Sequence, residues 1–144
     1  MTADPDPTNV LQDISILLVD DDDDSREVFA EALHLRGAKP LQACRTSEAL
    51  EKLATDHPDI LLSDIGMPDE DGYSLMRRVR SLSAADGGNI PAAALTAYSR
   101  PIDRQRALDA GFQFCLTKPI TLANLLTVAV DLVRMKTRSA AAKR

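Results

Sequence analysis

Five side chains in this sequence have the types and the placing to do chemistry together: Asp20, Asp21, Asp64, Thr96 and Lys118. They follow four short apolar runs, Ile14 to Val19, Ile60 to Ser63, Ala92 to Leu95 and Phe114 to Thr117, so each would stand at the C-terminal edge of a strand. The stretches between the runs are long enough to hold a helix each, and a fold that returns every run to the same edge brings all five groups to one rim. Three carboxylates confined to a rim raise one another's proton affinity unless a cation lies among them, and an all-oxygen cluster with room for water suits Mg²⁺. An ammonium and a hydroxyl beside that cluster are the groups that would hold phosphoryl oxygens during transfer to a carboxylate. Asp64 is the natural acceptor.

Positioning these groups requires a particular kind of sheet. With Lys39 to Cys44 added, five apolar runs alternate with segments of helical period, the pattern of a parallel sheet whose crossovers are helices. The first crossover carries Val28, Phe29, Ala32, Leu33 and Leu35 at helical spacing, with Gly37 placed to end it in the left-handed conformation. Ala49, Leu50 and Leu53 mark the second after an N-cap at Thr46 or Ser47, and Leu75, Met76, Val79 and Leu82 mark the third after Asp71-Gly72. Ala84 to Asn89 is expected as loop. Pro101 suits the first turn of a fourth helix that stops at Gly111, and Leu122, Leu125, Leu126, Ala129, Val130 and Val133 form the stripe of a fifth after Thr121. Right-handed crossovers then give an α/β, doubly wound five-stranded parallel sheet with five helices, and ligands of such sheets sit beyond the strand C-termini.

Composition narrows the rest. The 144 residues include 17 Lys plus Arg and 22 Asp plus Glu, a net charge of −5, which suits one domain of ordinary size. Hydrophobic residues make up 44% but aromatics only 3%, so the core is aliphatic and stacking platforms for single-stranded nucleic acid are not expected. No apolar run approaches the ~20 residues that cross a bilayer, and the polar, acidic start lacks the pattern of a signal peptide, which predicts a cytoplasmic location and no membrane partner. Met1 to Asp13, with Pro5, Pro7, Asp4 and Asp6, is expected as a flexible leader, residues 14–133 as the folded domain, and 134–144 as a basic tail. Cys44 and Cys115 lack metal-type spacing and are expected as reduced, small hydrophobes. His34 and His57 sit at no strand end and are expected on a helix surface and in a loop, Tyr73 and Tyr98 as packing or rim residues, and Asp22 to Asp24 as a helix start capped by Asp24 or Ser25 rather than as ligands.

The segments ILLVDDD, DILLSDIGMPDEDGY, AAALTAY and FCLTKPI resemble the four motif blocks of a response-regulator receiver domain, and the similarity runs from about Ile14 to Val133. The resemblance implies a flavodoxin-like sheet of order 2-1-3-4-5, that Asp64 is phosphorylated, that Asp21, Asp64 and the Gly66 carbonyl hold Mg²⁺ directly, and that Asp20 acts through a metal-bound water. It further implies that Thr96 and Lys118 bind the phosphoryl group, that small Ala97 leaves it room, and that the Lys118-Pro119 bond is cis. The partners it implies are a histidine kinase or histidine phosphotransfer protein and a downstream protein, with no nucleic acid, and it describes a protein that promotes its own aspartyl phosphorylation and dephosphorylation rather than an enzyme. DIGMPDEDGY, ALTAYSRPIDRQRALDAGF and LTKPI are similar in particular to receivers of hybrid sensor histidine kinases. One position departs from the pattern: three residues before the lysine, where receivers that drive a DNA-binding domain carry Tyr or Phe, this chain has Cys115. Any switch here must therefore use backbone and aliphatic repacking or an aromatic elsewhere. With no DNA-binding helix pair after the fifth helix, a separate partner or a longer parent protein is expected.

Three other readings compete. An aspartyl-phosphate hydrolase wants a second carboxylate two residues after the nucleophile, where this chain has Gly66. A flavodoxin-like cofactor binder needs a Gly, Ser or Thr phosphate loop after the first strand, where Asp20 to Asp24 would repel phosphate. A receiver-like interaction module that signals without phosphorylation remains the alternative consistent with the same residues.

Overall fold

The computed structural model describes residues 10–142 apart from 69 and 99, with side chains through 137. Five strands alternate with helices: β1 (Ser15–Val19), α1 (Asp23–Leu35), β2 (Lys39–Ala43), α2 (Thr46–Asp56), β3 (Ile60–Asp64), α3 (Gly72–Arg80), β4 (Ala92–Thr96), α4 (Pro101–Ala110), β5 (Phe114–Thr117) and α5 (Leu122–Ala142). All neighbouring strands pair in parallel in the order β2-β1-β3-β4-β5, the predicted sheet. Two strands run one residue further than the apolar runs, to Asp64 and Thr96, because the ladder continues into the first polar residue.

Side chains alternate across a sheet, so each strand serves two cores. Leu17, Val19, Leu61, Ala92 and Ala94 face α2, α3 and α4, where Leu53, Leu75, Met76, Val79 and Ala107 cover them. Ile16, Leu18, Ile60, Leu62, Ala93 and Leu95 face α1 and α5, against Ala30, Leu33, Leu125, Ala129 and Leu132. The central strands β3 and β4 are buried along their whole length, which only a sheet covered on both faces allows.

Helix ends follow the expected chemistry with two exceptions. Asp71 caps α3 by accepting the Ser74 amide, Thr121 Oγ1 accepts the Asn124 amide ahead of α5, Pro101 opens α4, and Gly111 closes it at a φ of 120°. At α1 the cap is Asp22, whose carboxylate accepts the Asp24 amide and the Ser25 hydroxyl, in place of the expected Asp24 or Ser25. At α2 the residue before the helix is Arg45, and Thr46, already inside, donates its hydroxyl to the Glu70 carbonyl and so ties α2 to the loop before α3. The expected apolar stripe of α1 also divides: Leu33 is buried, but Val28 is 56% and Leu35 73% exposed, because α1 packs on the sheet through a narrower face than the sequence period suggests. The segment expected as loop contains one 3₁₀ turn, Ala84–Asp86.

The boundaries differ from expectation too. Residues 1–9 of the expected leader lie outside the described residues, but Leu11 is 1% exposed in the α1–α5 core, and the Asp13 amide donates to the Gly37 carbonyl. Val10 and Leu11, two apolar residues between polar ones, are too few to show a period. The expected tail is largely helix, since α5 continues through Ala142 and Lys136 pairs with Asp59 below β3; residues 143–144 lie outside the described residues.

Arg80 joins α3 to two loops, before β4 and before β5, at the end of the sheet opposite Asp64. Its guanidinium donates to the Gly111 carbonyl at 3.0 and 2.7 Å, to Gly88 at 2.9 Å and to Gln113 Oε1 at 3.3 Å. Burial pushes its pKa down, yet three acceptors leave the fork well satisfied. Arg80→Ala should lower unfolding free energy by about 2–4 kcal/mol in a denaturant titration, since it strands buried carbonyls, and Arg80→Lys should recover less than half of the loss.

Candidate phosphoacceptor site

The period of the sheet assembles this site. Asp20 continues the row Ile16–Leu18, Asp64 the row Ile60–Leu62, and Lys118 the row Phe114–Leu116, so all three leave the sheet on the side of α1 and α5. Thr96 continues the other row, Ala92–Ala94, and so approaches from the α4 side. The chain folds tightly after Asp64 because a Cβ on Gly72 would lie 2.4 Å from the Asp64 carbonyl oxygen, and the Gly72 amide bonds the Ile65 carbonyl at 2.9 Å. Only glycine permits α3 to begin so close to β3.

One carboxylate oxygen from each of Asp20, Asp21 and Asp64 lies within 4.8 Å of the others. Asp20 and Asp64 are 3% and 4% exposed, while Asp21 faces solvent. Lys118 Nζ donates to Asp64 Oδ1 at 3.0 Å and lies 3.9 Å from Asp20 Oδ2. Asp20 Oδ1 accepts the Asp22 amide, but Asp20 Oδ2 is buried without a hydrogen bond. Such an oxygen, facing two further carboxylates, is the donor set that a hard divalent cation completes, so the residues fit Mg²⁺. Gly66 occupies the exposed turn directly after β3, where a Cβ would meet nothing within 4 Å. Thr96 is buried and its Oγ1 accepts the Tyr98 amide at 3.0 Å, apart from the carboxylates, with exposed Ala97 beside it. The Lys118-Pro119 bond is cis, as the motif implies.

The electrostatics follow from this crowding. Burial, and then the Asp64 and Asp21 charges, push the Asp20 pKa above 3.8, with the Asp22 amide and Lys118 opposing. Partial burial and Asp64 likewise raise Asp21. For Lys118, burial works against the charged form, but the hydrogen bond to Asp64 and the three carboxylates outweigh it, and its pKa is raised. The cluster therefore keeps one cation of its own and attracts another.

A family model of the response regulator receiver domain matches residues 16–130. The chain belongs to this family. The receiver is 44% identical over 116 residues to an uncharacterized 14.6 kDa protein of Leptolyngbya boryana, covering 81% of this chain and 87% of that protein. It is 38% identical over 130 residues to the sensor histidine kinase RcsC of Escherichia coli, covering 88% of this chain but only 13% of the kinase. Among solved structures it is similar to the Vibrio cholerae chemotaxis protein CheY4, with 26% identity, a TM-score of 0.78 and coverage of 83% and 98%. The signal receiver domain of a Syntrophus aciditrophicus signal transduction histidine kinase is similar at 31% identity and a TM-score of 0.75, covering 83% of this chain and 89% of that one. The likeness to kinase-attached receivers expected from the motifs is thus present in the relatives. No described helix is long and apolar enough to cross a membrane.

The receiver also contains a residue that motif reading missed. Arg26, one turn into α1, donates to the Asp20 carbonyl at 2.6 Å, to Gln42 Oε1 at 3.0 Å and to Asp23 Oδ1 at 2.7 Å, and so fixes the backbone that carries the acidic pair. An arginine on a helix gives no local sign of such a role. Two other readings are met: His34 is exposed on α1, and His57 ends α2 at a φ of 47°. Tyr73 is buried beneath the Arg106 guanidinium and Tyr98 lies on the rim.

Asp20 and Asp21 hold protons more tightly folded than unfolded, so just above pH 3.8 these two groups bind more protons in the metal-free fold than in the unfolded chain, and replacing both by Asn isolates their contribution from the opposite one of Asp22 and Asp103. The stability these two carboxyls contribute should therefore be lost as pH rises through the window from 3.8 to the raised values, and added Mg²⁺ should restore it at neutral pH, as thermal melts of wild type and the double Asn variant in chelator and in Mg²⁺ would show. The neighbouring acids separate in the same assay. Asp21→Asn should raise metal-free stability and weaken Mg²⁺ binding at least tenfold, whereas Asp22→Ala should remove the α1 cap, lower stability, and leave Mg²⁺ binding nearly intact.

Proposed function

We propose that this receiver takes a phosphoryl group onto Asp64 from a phosphohistidine of a histidine kinase or histidine phosphotransfer protein, with Mg²⁺ at the acidic cluster, and thereby changes its affinity for a downstream protein. The observation that carries this reading is the placing of Asp64: buried to 4%, at a strand end, hydrogen-bonded by Lys118 and flanked by two further carboxylates. In the transfer a carboxylate oxygen of Asp64 forms a bond to phosphorus as the phosphorus–nitrogen bond breaks and the imidazole leaves with its electron pair. Lys118 turns from Asp64 toward the incoming phosphoryl oxygens, and Thr96 donates its hydroxyl to one of them. Asp21, Asp64 and the Gly66 carbonyl would hold Mg²⁺ directly and Asp20 through a water, and the ion would supply charge neutralisation between carboxylates and phosphoryl group. The chain acts on itself: these groups promote its phosphorylation and its later hydrolysis, with no separate substrate turned over.

The surface beside the site suits a helical donor. Val28, Leu35 and Leu122 are exposed along α1 and the start of α5, with Asp24, Glu27 and Glu31 around them, so an apolar stripe flanked by basic residues would complement it. Phosphohistidine is made from ATP, which places the exchange in the cytoplasm.

Incubation with acetyl phosphate and Mg²⁺ should add one phosphoryl mass to the wild type, read by intact mass spectrometry, and none to Asp64→Asn. An unmodified wild type would leave the interaction module that signals without phosphorylation, and equal modification of both proteins would move the acceptor elsewhere.

A further inference from the structure

Two side-chain oxygens among the described residues are buried without a hydrogen-bond partner: Asp20 Oδ2, which belongs to the acidic cluster, and Thr117 Oγ1, which has no place in the chemistry above. Thr117 is the last residue of β5 and pairs in register with Thr96 at the end of β4. In a parallel ladder, residues in register project from the same face. That face is the α4 side, since Ala92 and Ala94 precede Thr96 on it and Cys115 precedes Thr117. Two hydroxyls thus stand side by side where the two strands end, one engaged by the Tyr98 amide and the other engaged by nothing.

A buried hydroxyl with no partner penalises the state that contains it, and a conformation that supplies a partner is favoured by the same amount. Resting Thr96 uses one lone pair of Oγ1 for the Tyr98 amide, which leaves the other lone pair and the hydroxyl proton to assign. Cys115, two residues before Thr117 on the same face, is too small and too weak a hydrogen-bonding group to answer a movement of Thr96. Thr117 is next to it and already desolvated.

We propose that Thr117 is a positioning residue for Thr96: when Thr96 turns its hydroxyl proton to a phosphoryl oxygen on Asp64, the lone pair of Thr96 Oγ1 that the Tyr98 amide does not use turns toward Thr117, and Thr117 Oγ1 donates to it. The pair Thr117→Thr96→phosphoryl then couples the end of β5 to the site without an aromatic on that strand. The resting fold holds the orphaned hydroxyl in reserve, and the phosphorylated fold releases that penalty. This inference rests on the phosphoacceptor reading of Asp64.

The test uses the full chain with Mg²⁺ and beryllofluoride, a mimic of the phosphoryl group, and the near-isosteric Thr117→Val. The expected result has opposite signs in the two states: a melting temperature of the unliganded protein raised by roughly 3 °C, and beryllofluoride affinity lowered about five- to tenfold, the worth of one hydrogen bond. Thr117→Ser, which keeps the hydroxyl, should restore the affinity. A residue that only packs would lower both quantities in Thr117→Val, and either that result or an unchanged affinity overturns the proposal. If Thr117→Val does not fold, Thr117→Ser binding as weakly as Thr117→Ala overturns it in the same way. Wild-type protein that binds no beryllofluoride would overturn the phosphoacceptor reading itself, and this proposal with it.

Discussion

Three carboxylates share the space of one small ion at the edge of the sheet, and most of the architecture around them answers that crowding. Two are nearly buried, so water does little to separate their charges, and burial together with mutual repulsion raises the proton affinity of Asp20. Lys118 supplies one compensating charge at 3.0 Å from Asp64, and Asp22 contributes an amide to Asp20. The remaining field is unbalanced in favour of a second cation. The fold therefore holds its site in a state that a divalent ion or a proton relaxes, which makes metal binding and stability one linked quantity.

The precision of the cluster comes from rigid elements rather than from its own members. Asp20, Asp64 and Lys118 lie at the ends of paired strands whose preceding side chains are locked in the α1–α5 core, so their exits from the sheet are set by packing far from the charges. The loop that carries Asp21 is held from behind by Arg26, which satisfies the Asp20 carbonyl, and the turn after Asp64 is held by the close approach of Gly72. At the opposite end Arg80 does for the bottom loops what Arg26 does for the top ones. These supports leave the exchangeable parts, Lys118 and Thr96, as the groups that can change partners.

The α4 side differs in character. There β5 offers Cys115 and Thr117 where an aromatic would otherwise stand, and α4 begins with the Arg100–Asp103 ion pair and lays Arg106 over Tyr73 of α3. Burial raises the Cys115 thiol pKa and keeps it neutral, consistent with a packing role. In the proposal above, coupling from the site to this face would run through hydroxyls and backbone at the strand ends, a shorter reach than a rotating ring provides.

The amino-acid sequence by itself determined the strand and helix alternation and the five groups at the sheet's rim, because apolar runs that must be covered on both faces, and polar residues that end them, are local signals, while the sheet order was legible only through the motif resemblance. It also carried Asp71, Pro101 and Gly111, whose capping chemistry lies within a few residues of each helix end. What only the tertiary structure decided depends on partners distant in the chain. Leu11 is core because α1 and α5 meet there, Val28 and Leu35 are exposed because α1 turns another face to the sheet, and α5 runs past its apolar stripe with Asp59 to hold Lys136. Arg26 beneath the acidic loop, Gly72 against Asp64, and Thr117 beside Thr96 have no mark in their own neighbourhoods of sequence. Their roles exist only once the strands are in register, since a hydrogen bond or a close approach is a property of two places at once.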